Sequence, residues 1–226
     1  MNEILDNPIW HALNTGNRAF ATGTGPVRYI RRDVGFFAGL QTNSPSELRT
    51  LHGLLPPDSR VILFTPERIT VPSGWKLVLE KDLFQMICRE PVLLNEEDGG
   101  LVPLEEKDVP AMLELTARTN PGPFLPRTID FGHYEGIFQG AELVAMTGQR
   151  LLPDPYTEIS AVCTHPGHTG KGYAARLIRS QLARIRAEGR IPILHVYPDN
   201  YGAVKLYEKL GFTVRKQIVV YALHSE

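Results

Sequence analysis

Glu158-Ile159-Ser160-Ala161-Val162-Cys163-Thr164-His165-Pro166-Gly167-His168-Thr169-Gly170-Lys171-Gly172-Tyr173-Ala174 reads as a buried strand, a short glycine-bearing loop and the start of a helix. A helix start carries unpaired backbone N–H groups and the positive end of a dipole, which suits an anion. Gly170 and Gly172 let the backbone approach a ligand with no Cβ in the way. A tight strand-to-helix turn that needs glycine has the same pattern, so the loop alone leaves both readings open. Two phosphate motifs fit poorly. A Walker loop needs Gly where His165 stands and Ser or Thr after the Lys, where Gly172 stands. Gly170-Lys171-Gly172-Tyr173-Ala174-Ala175 keeps a dinucleotide fingerprint in weak form. Most of the chain precedes it, however, and too little follows for the rest of a dinucleotide domain.

The residues after the loop repeat every 3.6 positions. Ala174, Leu177, Ile178, Leu182 and Ile185 share one helical face, with Gly189 as a C-cap and Pro192 beyond it. Ile193–Tyr197 is a strand. Asp199 or Asn200 caps a second helix with Ala203, Leu206, Tyr207 and Leu210 inward, ended by Gly211. Phe212–Leu223 is a last strand or strand pair. Ahead of the loop, Leu101–Leu104, His133–Phe138, Glu142–Thr147 and Glu158–Thr164 read as strands. A helix follows Asp108, which is placed to cap it. Strands and helices alternate, as in a mixed α/β array.

Asn95-Glu96-Glu97-Asp98-Gly99-Gly100 joins charge to two glycines and is the best boundary in the chain. It divides an N-terminal α/β part, residues 1–98, from residues 99–226. In the first part Val27–Arg32, Val34–Leu40, Arg60–Phe64 and Lys76–Leu79 are strand candidates, and Asp82–Arg89 is ambiguous. Ser44-Pro45-Ser46-Glu47 forms a capping box for a helix that carries Leu48, Leu51 and Leu55 on one face. The first 25 residues show no strong hydrophobic period.

Composition sets the class. The 226 residues carry 42% hydrophobic and 22% charged residues and a formal net charge of -1, ordinary for a soluble globular protein. No basic stripe points to nucleic acid. No apolar run reaches the ~18 residues of a membrane span. Two cysteines, Cys88 and Cys163, suggest no disulfide framework. The acidic N-terminus lacks the pattern of a secretory signal, so a reducing cytoplasm is the expected compartment.

Val162-Cys163-Thr164-His165-Pro166 through Gly170-Lys171-Gly172-Tyr173-Ala174 resembles motif A of the GNAT N-acyltransferases, usually written Gln/Arg-x-x-Gly-x-Gly/Ala. With Gly172 and Ala174 as its last small residues, the leading position falls on Thr169. One step earlier, it falls on Gly167. Either residue departs from the motif and removes one side-chain contact to the pyrophosphate, while the backbone cradle stays. Asn200-x-x-Ala203-x-x-x-Tyr207-Glu208-Lys209-Leu210-Gly211-Phe212 is similar to motif B of the same family. One helix and one strand separate the two. The resemblance covers roughly residues 100–223. The Cys-Thr-His-Pro and Gly-Tyr-Ala wording looks closest to the glycine N-acyltransferase-like branch.

The resemblance implies an α/β fold of the GNAT type, a mixed and mostly antiparallel sheet with flanking helices, plus an N-terminal α/β extension or degenerate half. It implies acetyl-CoA as acyl donor and a small-molecule amine or peptide as acceptor. The backbone at Val162, Cys163 and Thr164 would hold the pantetheine and acyl oxygen. Thr169, Gly170, Lys171, Gly172, Tyr173 and Ala174 would take the pyrophosphate, and Asn200 the pantetheine arm. Tyr207 is the expected general acid for the leaving thiolate and Glu158 the expected general base. Cys163, His165 and His168 lack a fourth ligand and the usual zinc spacing, so no metal is expected. Cys163 reads as a small strand residue. Two rivals stay open: a coenzyme A-binding sensor without turnover, and a nucleotide binder using the same loop.

Overall fold

The computed structural model describes residues 3–92 and 100–226, so the boundary at 95–100 lies almost wholly outside the described residues. In chain order the elements are α1 (Pro8–Asn14), β1 (Ala21–Thr22), β2 (Val27–Ile30), β3 (Ala38–Leu40), α2 (Pro45–Leu54), β4 (Arg60–Thr65), β5 (Trp75–Ile87), β6 (Val102–Pro103), α3 (Val109–Thr119), β7 (Glu135–Gln139), β8 (Glu142–Gln149), β9 (Tyr156–Thr164), α4 (Tyr173–Ala187), β10 (Ile191–Val196), α5 (Tyr201–Lys209) and β11 (Thr213–Ser225). Strands β1, β2 and β3 form a small antiparallel sheet. The other eight form one sheet in the order β4-β11-β5-β10-β9-β8-β7-β6. Only β9 and β10 run parallel in it. This is the mixed, mostly antiparallel sheet expected from the motifs.

The expected division near residue 98 falls between β5 and β6, and strands from both sides of it share this sheet. β5 lies between β11 and β10. The stretch read as a strand at Lys76–Leu79 and an ambiguous segment after it is one strand of 13 residues. Its first half is exposed, and Lys76, Glu80, Lys81 and Asp82 hide its apolar register. The strand expected at Val34–Leu40 shrinks to β3, because Arg31–Val34 form a turn closed by the Val34 N–H on the Arg31 carbonyl.

The helices pack as their periods predict. In α4, Leu177, Ile178, Leu182 and Ile185 are fully buried; the last three meet Met86, Ile159, Leu194 and Phe212, and Leu177 meets Ile137, Val144 and Ala145. Each such side chain stabilises the fold by about 1.5–3 kcal/mol. The other sheet face is covered by α1 and α3, through Ile9, Leu13, Met112 and Leu115 against Met146, Ile218 and Val220. Helix α1 escapes the sequence because its seven residues carry a single repeat, Ile9, Ala12 and Leu13. The Ser44 box forms as expected, with the Glu47 N–H on Ser44 Oγ and the Ser44 N–H on the Glu47 carboxylate. Asp108 stands at the N-cap of α3 but makes no side-chain bond to that helix. It accepts the Glu105 N–H at 2.9 Å in a 3-10 turn leading into that helix. Among the described residues no helix is long and apolar enough to cross a membrane.

Candidate active site

β9 and β10 pair only from Ile191–Tyr156 to Ile193–Glu158. Beyond that point β10 continues along β5, with His195 opposite Gln85, while β9 continues along β8. The two strands splay, and the edge of β9 from Ile159 onward is left without a strand partner on that side. β9 also bulges. Its register against β8 shifts between the Met146–Cys163 and Gly148–Ser160 pairs, and Ala161 there takes φ +51°. A left-handed residue in a strand re-aims the neighbouring backbone groups. The wedge opens into a cleft of about 390 Å³.

Of the residues expected at the site, Val162, Cys163, Thr164, Asn200 and Tyr207 line this cleft. Asn200 is the N-cap of α5, its Oδ1 accepting from the Ala203 N–H at 3.2 Å. Tyr207 stands two turns into α5, with its ring 6.0 Å from Phe212. Its hydroxyl bonds to no described residue and is not among the fully buried unpaired atoms, and the residue lines the cleft. Burial raises its pKa to about 12. Cys163 is free and buried, and burial raises its thiol to about 11. It is neutral at pH 7 and a poor nucleophile.

The loop from Thr169 to Ala174 leaves the cleft at the end of β9 and is not part of its wall. Gly172 caps α4 in the left-handed region, and Gly170 has the same φ, +77°. A Cβ added at either meets nothing within 4 Å. The backbone just before the helix start is therefore open to a close-approaching ligand, as a phosphate cradle requires. Thr169 is exposed, and its Oγ1 donates to the Pro166 carbonyl at 3.2 Å within the loop. Lys171 Nζ lies 3.3 Å from His168 Nδ1. No metal-binding cluster occurs among the described residues.

Glu158, expected as the general base, sits elsewhere. It is 0% exposed and does not line the cleft. Its carboxylate takes Arg150 Nε at 2.9 Å, Arg150 Nη2 at 2.5 Å, the Leu151 N–H at 3.2 Å and His195 Nδ1 at 2.7 Å. Burial alone raises its pKa, but the Arg150 charge and these hydrogen bonds win and hold it at about 2. A carboxylate that weak takes no proton from an amine near neutral pH. Glu158 thus holds Arg150 and His195 and is not among the residues lining the cleft where the base was expected.

A polar chain crosses the sheet at this level. Arg215 on β11 donates to Gln85 Oε1 on β5 at 2.8 Å. The Gln85 amide N–H donates to the Leu5 carbonyl and to His195 Nε2 at 3.1 Å. These contacts orient the Gln85 amide, so His195 Nε2 is an acceptor and Nδ1 carries the proton given to Glu158. Both His195 nitrogens are engaged. Arg150, His195 and Tyr197 line the cleft with Phe37, Phe64 and Leu83. Sequence reasoning missed this group. A lone His in the apolar run Ile191–Val196 was its one local sign, and the partners come together only through strand order.

A splayed parallel pair, a bulge beside it and a glycine-capped helix start after the first strand define the acyltransferase architecture of the motifs, and comparisons with known proteins agree. The chain belongs to the GNAT family of acetyltransferases. It is 34% identical, over 100% of both chains, to a protein assigned to that family from Novosphingobium aromaticivorans DSM 12444, with a TM-score of 0.92. Residues 134–220 match the FR47-like protein family. Over 86 residues the chain is 38% identical to mycothiol acetyltransferase of Corynebacterium glutamicum (strain R), a match that covers 38% of this chain and 30% of that relative. The GCN5-related N-acetyltransferase of Kribbella flavida has the same fold at 15% identity, with a TM-score of 0.58 over 96% of this chain and 95% of that one.

Proposed function

We propose that this protein transfers the acetyl group of acetyl-CoA to an acceptor amine by direct attack. The observation that carries the reading is that Tyr207, whose hydroxyl bonds to no described residue, lines the same cleft as the free edge of β9. Along that edge, backbone groups at Val162–Thr164 are placed to pair with the pantetheine arm and to donate to the thioester oxygen. The open space at Gly170 and Gly172 and the N–H groups of Tyr173 and Ala174 fit the pyrophosphate.

The neutral amine attacks the thioester carbon and the C–S bond breaks. Tyr207, protonated at neutral pH, gives its proton to the departing sulfur. The proton lost by the nitrogen returns to the Tyr207 oxygen through water of the cleft, so the step balances without a carboxylate base. Within the family we place the chain nearest the glycine N-acyltransferase-like branch, on Cys163-Thr164-His165-Pro166 and Gly172-Tyr173-Ala174. The acceptor is a small amine or a peptide, and residues before 98 supply part of its chamber through Phe37, Phe64 and Leu83. The two buried, unpaired thiols suit a reducing cytoplasm.

Thermal unfolding tests the donor. A ligand that binds only the folded state raises stability by RT ln(1 + [L]/Kd), about 2.7 kcal/mol at a hundred times Kd. Acetyl-CoA is expected to stabilise the protein, with ATP and NAD giving no shift. The absence of a shift with every coenzyme A thioester would sink the reading.

A further inference from the structure

We infer that Arg150 is a specificity-determining residue that recognises a carboxylate on the acceptor, so that the acceptor is an amino acid-like amine with an apolar side chain. The inference rests on the acetyl-transfer reading and goes beyond it by naming the acceptor class. Arg150 lines the cleft. Its Nε and Nη2 are both taken by Glu158. No described residue bonds Nη1, and Nη1 is not among the fully buried unpaired atoms. The pair is therefore a dipole with Glu158 wholly buried behind it and the Arg150 side chain, 18% exposed, in front. The positive end faces the cleft and offers two N–H groups to a planar anion.

The guanidinium is held for this task. Its centre lies 4.9 Å from the Phe37 ring and 5.8 Å from the Phe64 ring. Glu158 is fixed in turn by His195, and His195 by Gln85. A cation supported this way loses little freedom on binding. Ile62, Leu83 and Val220 add apolar surface to the same cleft, which suits a hydrocarbon or aromatic side chain. Among the acceptor's three parts, the carboxylate goes to Arg150, the side chain to this surface and the amine towards the β9 bulge.

The test is thiol release from acetyl-CoA with the purified protein, over the common amino acids and their carboxamides, with rates expressed per free-base amine. A charge-assisted hydrogen bond contributes about ten- to a hundredfold, so apolar amino acids are expected to exceed their amides in kcat/KM by that factor. Equal rates, a preference for the amides, or no turnover of any member while acetyl-CoA still stabilises the protein overturns the acceptor class and leaves the donor reading intact. Failure of acetyl-CoA to bind overturns both. Removing Arg150 alone leaves Glu158 buried without its partner, so the variant of choice is R150Q/E158Q, checked for a cooperative unfolding transition. Its acid-to-amide ratio is expected to fall to about one. A ratio kept at the wild-type value overturns the role of Arg150.

Discussion

Replacing Glu158 by Gln separates a positioning residue from a catalytic base. The substitution keeps the shape of the side chain and removes a charge that meets two Arg150 nitrogens, His195 and the Leu151 N–H. The folded-state pKa of about 2 lies below the reference of 4.5. A depression of that size corresponds to about 3 kcal/mol. Because the folded pKa is the lower one, this contribution is complete above about pH 4.5 and is lost as pH falls through about 2. At pH 7 the variant keeps the Arg150 cation with no counter-charge, and a loss of about 3 kcal/mol is expected. For a chain of this length that lowers Tm by about 6–12 °C. The assay is denaturant unfolding across pH 7 to 3, with thiol release measured well below the variant's Tm. The account expects the wild-type protein to lose stability towards pH 3 more steeply than the variant, and expects the folded variant to turn over an uncharged amine with no shift in its pH–rate profile. A variant of wild-type stability with abolished turnover would refute the reasoning and restore Glu158 as the base.

Tyr207→Phe is expected to lower kcat by about a hundredfold or more. Its Tm should stay within about 2 °C of wild type, because the hydroxyl bonds no described residue and the ring keeps its contact with Phe212. Gly172→Ala places a Cβ at φ +77°, costing about 1–2 kcal/mol, and fills space left for the phosphate. Titration calorimetry should show weaker acetyl-CoA binding in a protein that still folds. Cys163, with its thiol at about 11, is expected to resist iodoacetamide at pH 7.5 in the native state and to react once denatured, as read by mass spectrometry. Ser44→Ala loses the capping box and about 1 kcal/mol in denaturant unfolding, with no change in kcat.

Most of the candidate cofactor side was legible in the sequence, because its signals are local. A strand, two glycines and a 3.6-residue repeat specify the loop and α4, and Asn200 to Phe212 specify α5 within one turn of its bounds. The acceptor side was not legible. Arg150 and Glu158 are eight residues apart but meet only because β8 and β9 pair, and His195 and Gln85 join them from two further strands. A Glu early in a strand looks the same in sequence whether it faces a cleft or a buried arginine. Phe37 and Phe64 come from the first ninety residues, whose chemistry carries no motif. Their role follows from β4 and β5 entering the main sheet beside β11, a pairing that no local pattern predicts.

The central claim is acetyl transfer in the wedge between β9 and β10 with Tyr207 as the acid. Thiol release from acetyl-CoA tests it most directly, measured with and without an amine acceptor in the wild-type protein and in Tyr207→Phe. The account predicts release that depends on the acceptor, yields one acetylated amine per thiol, and falls by about a hundredfold in the variant. Acceptor-dependent release that is equal in both proteins contradicts the role of Tyr207, and acetyl-CoA binding without release under any acceptor contradicts transfer itself.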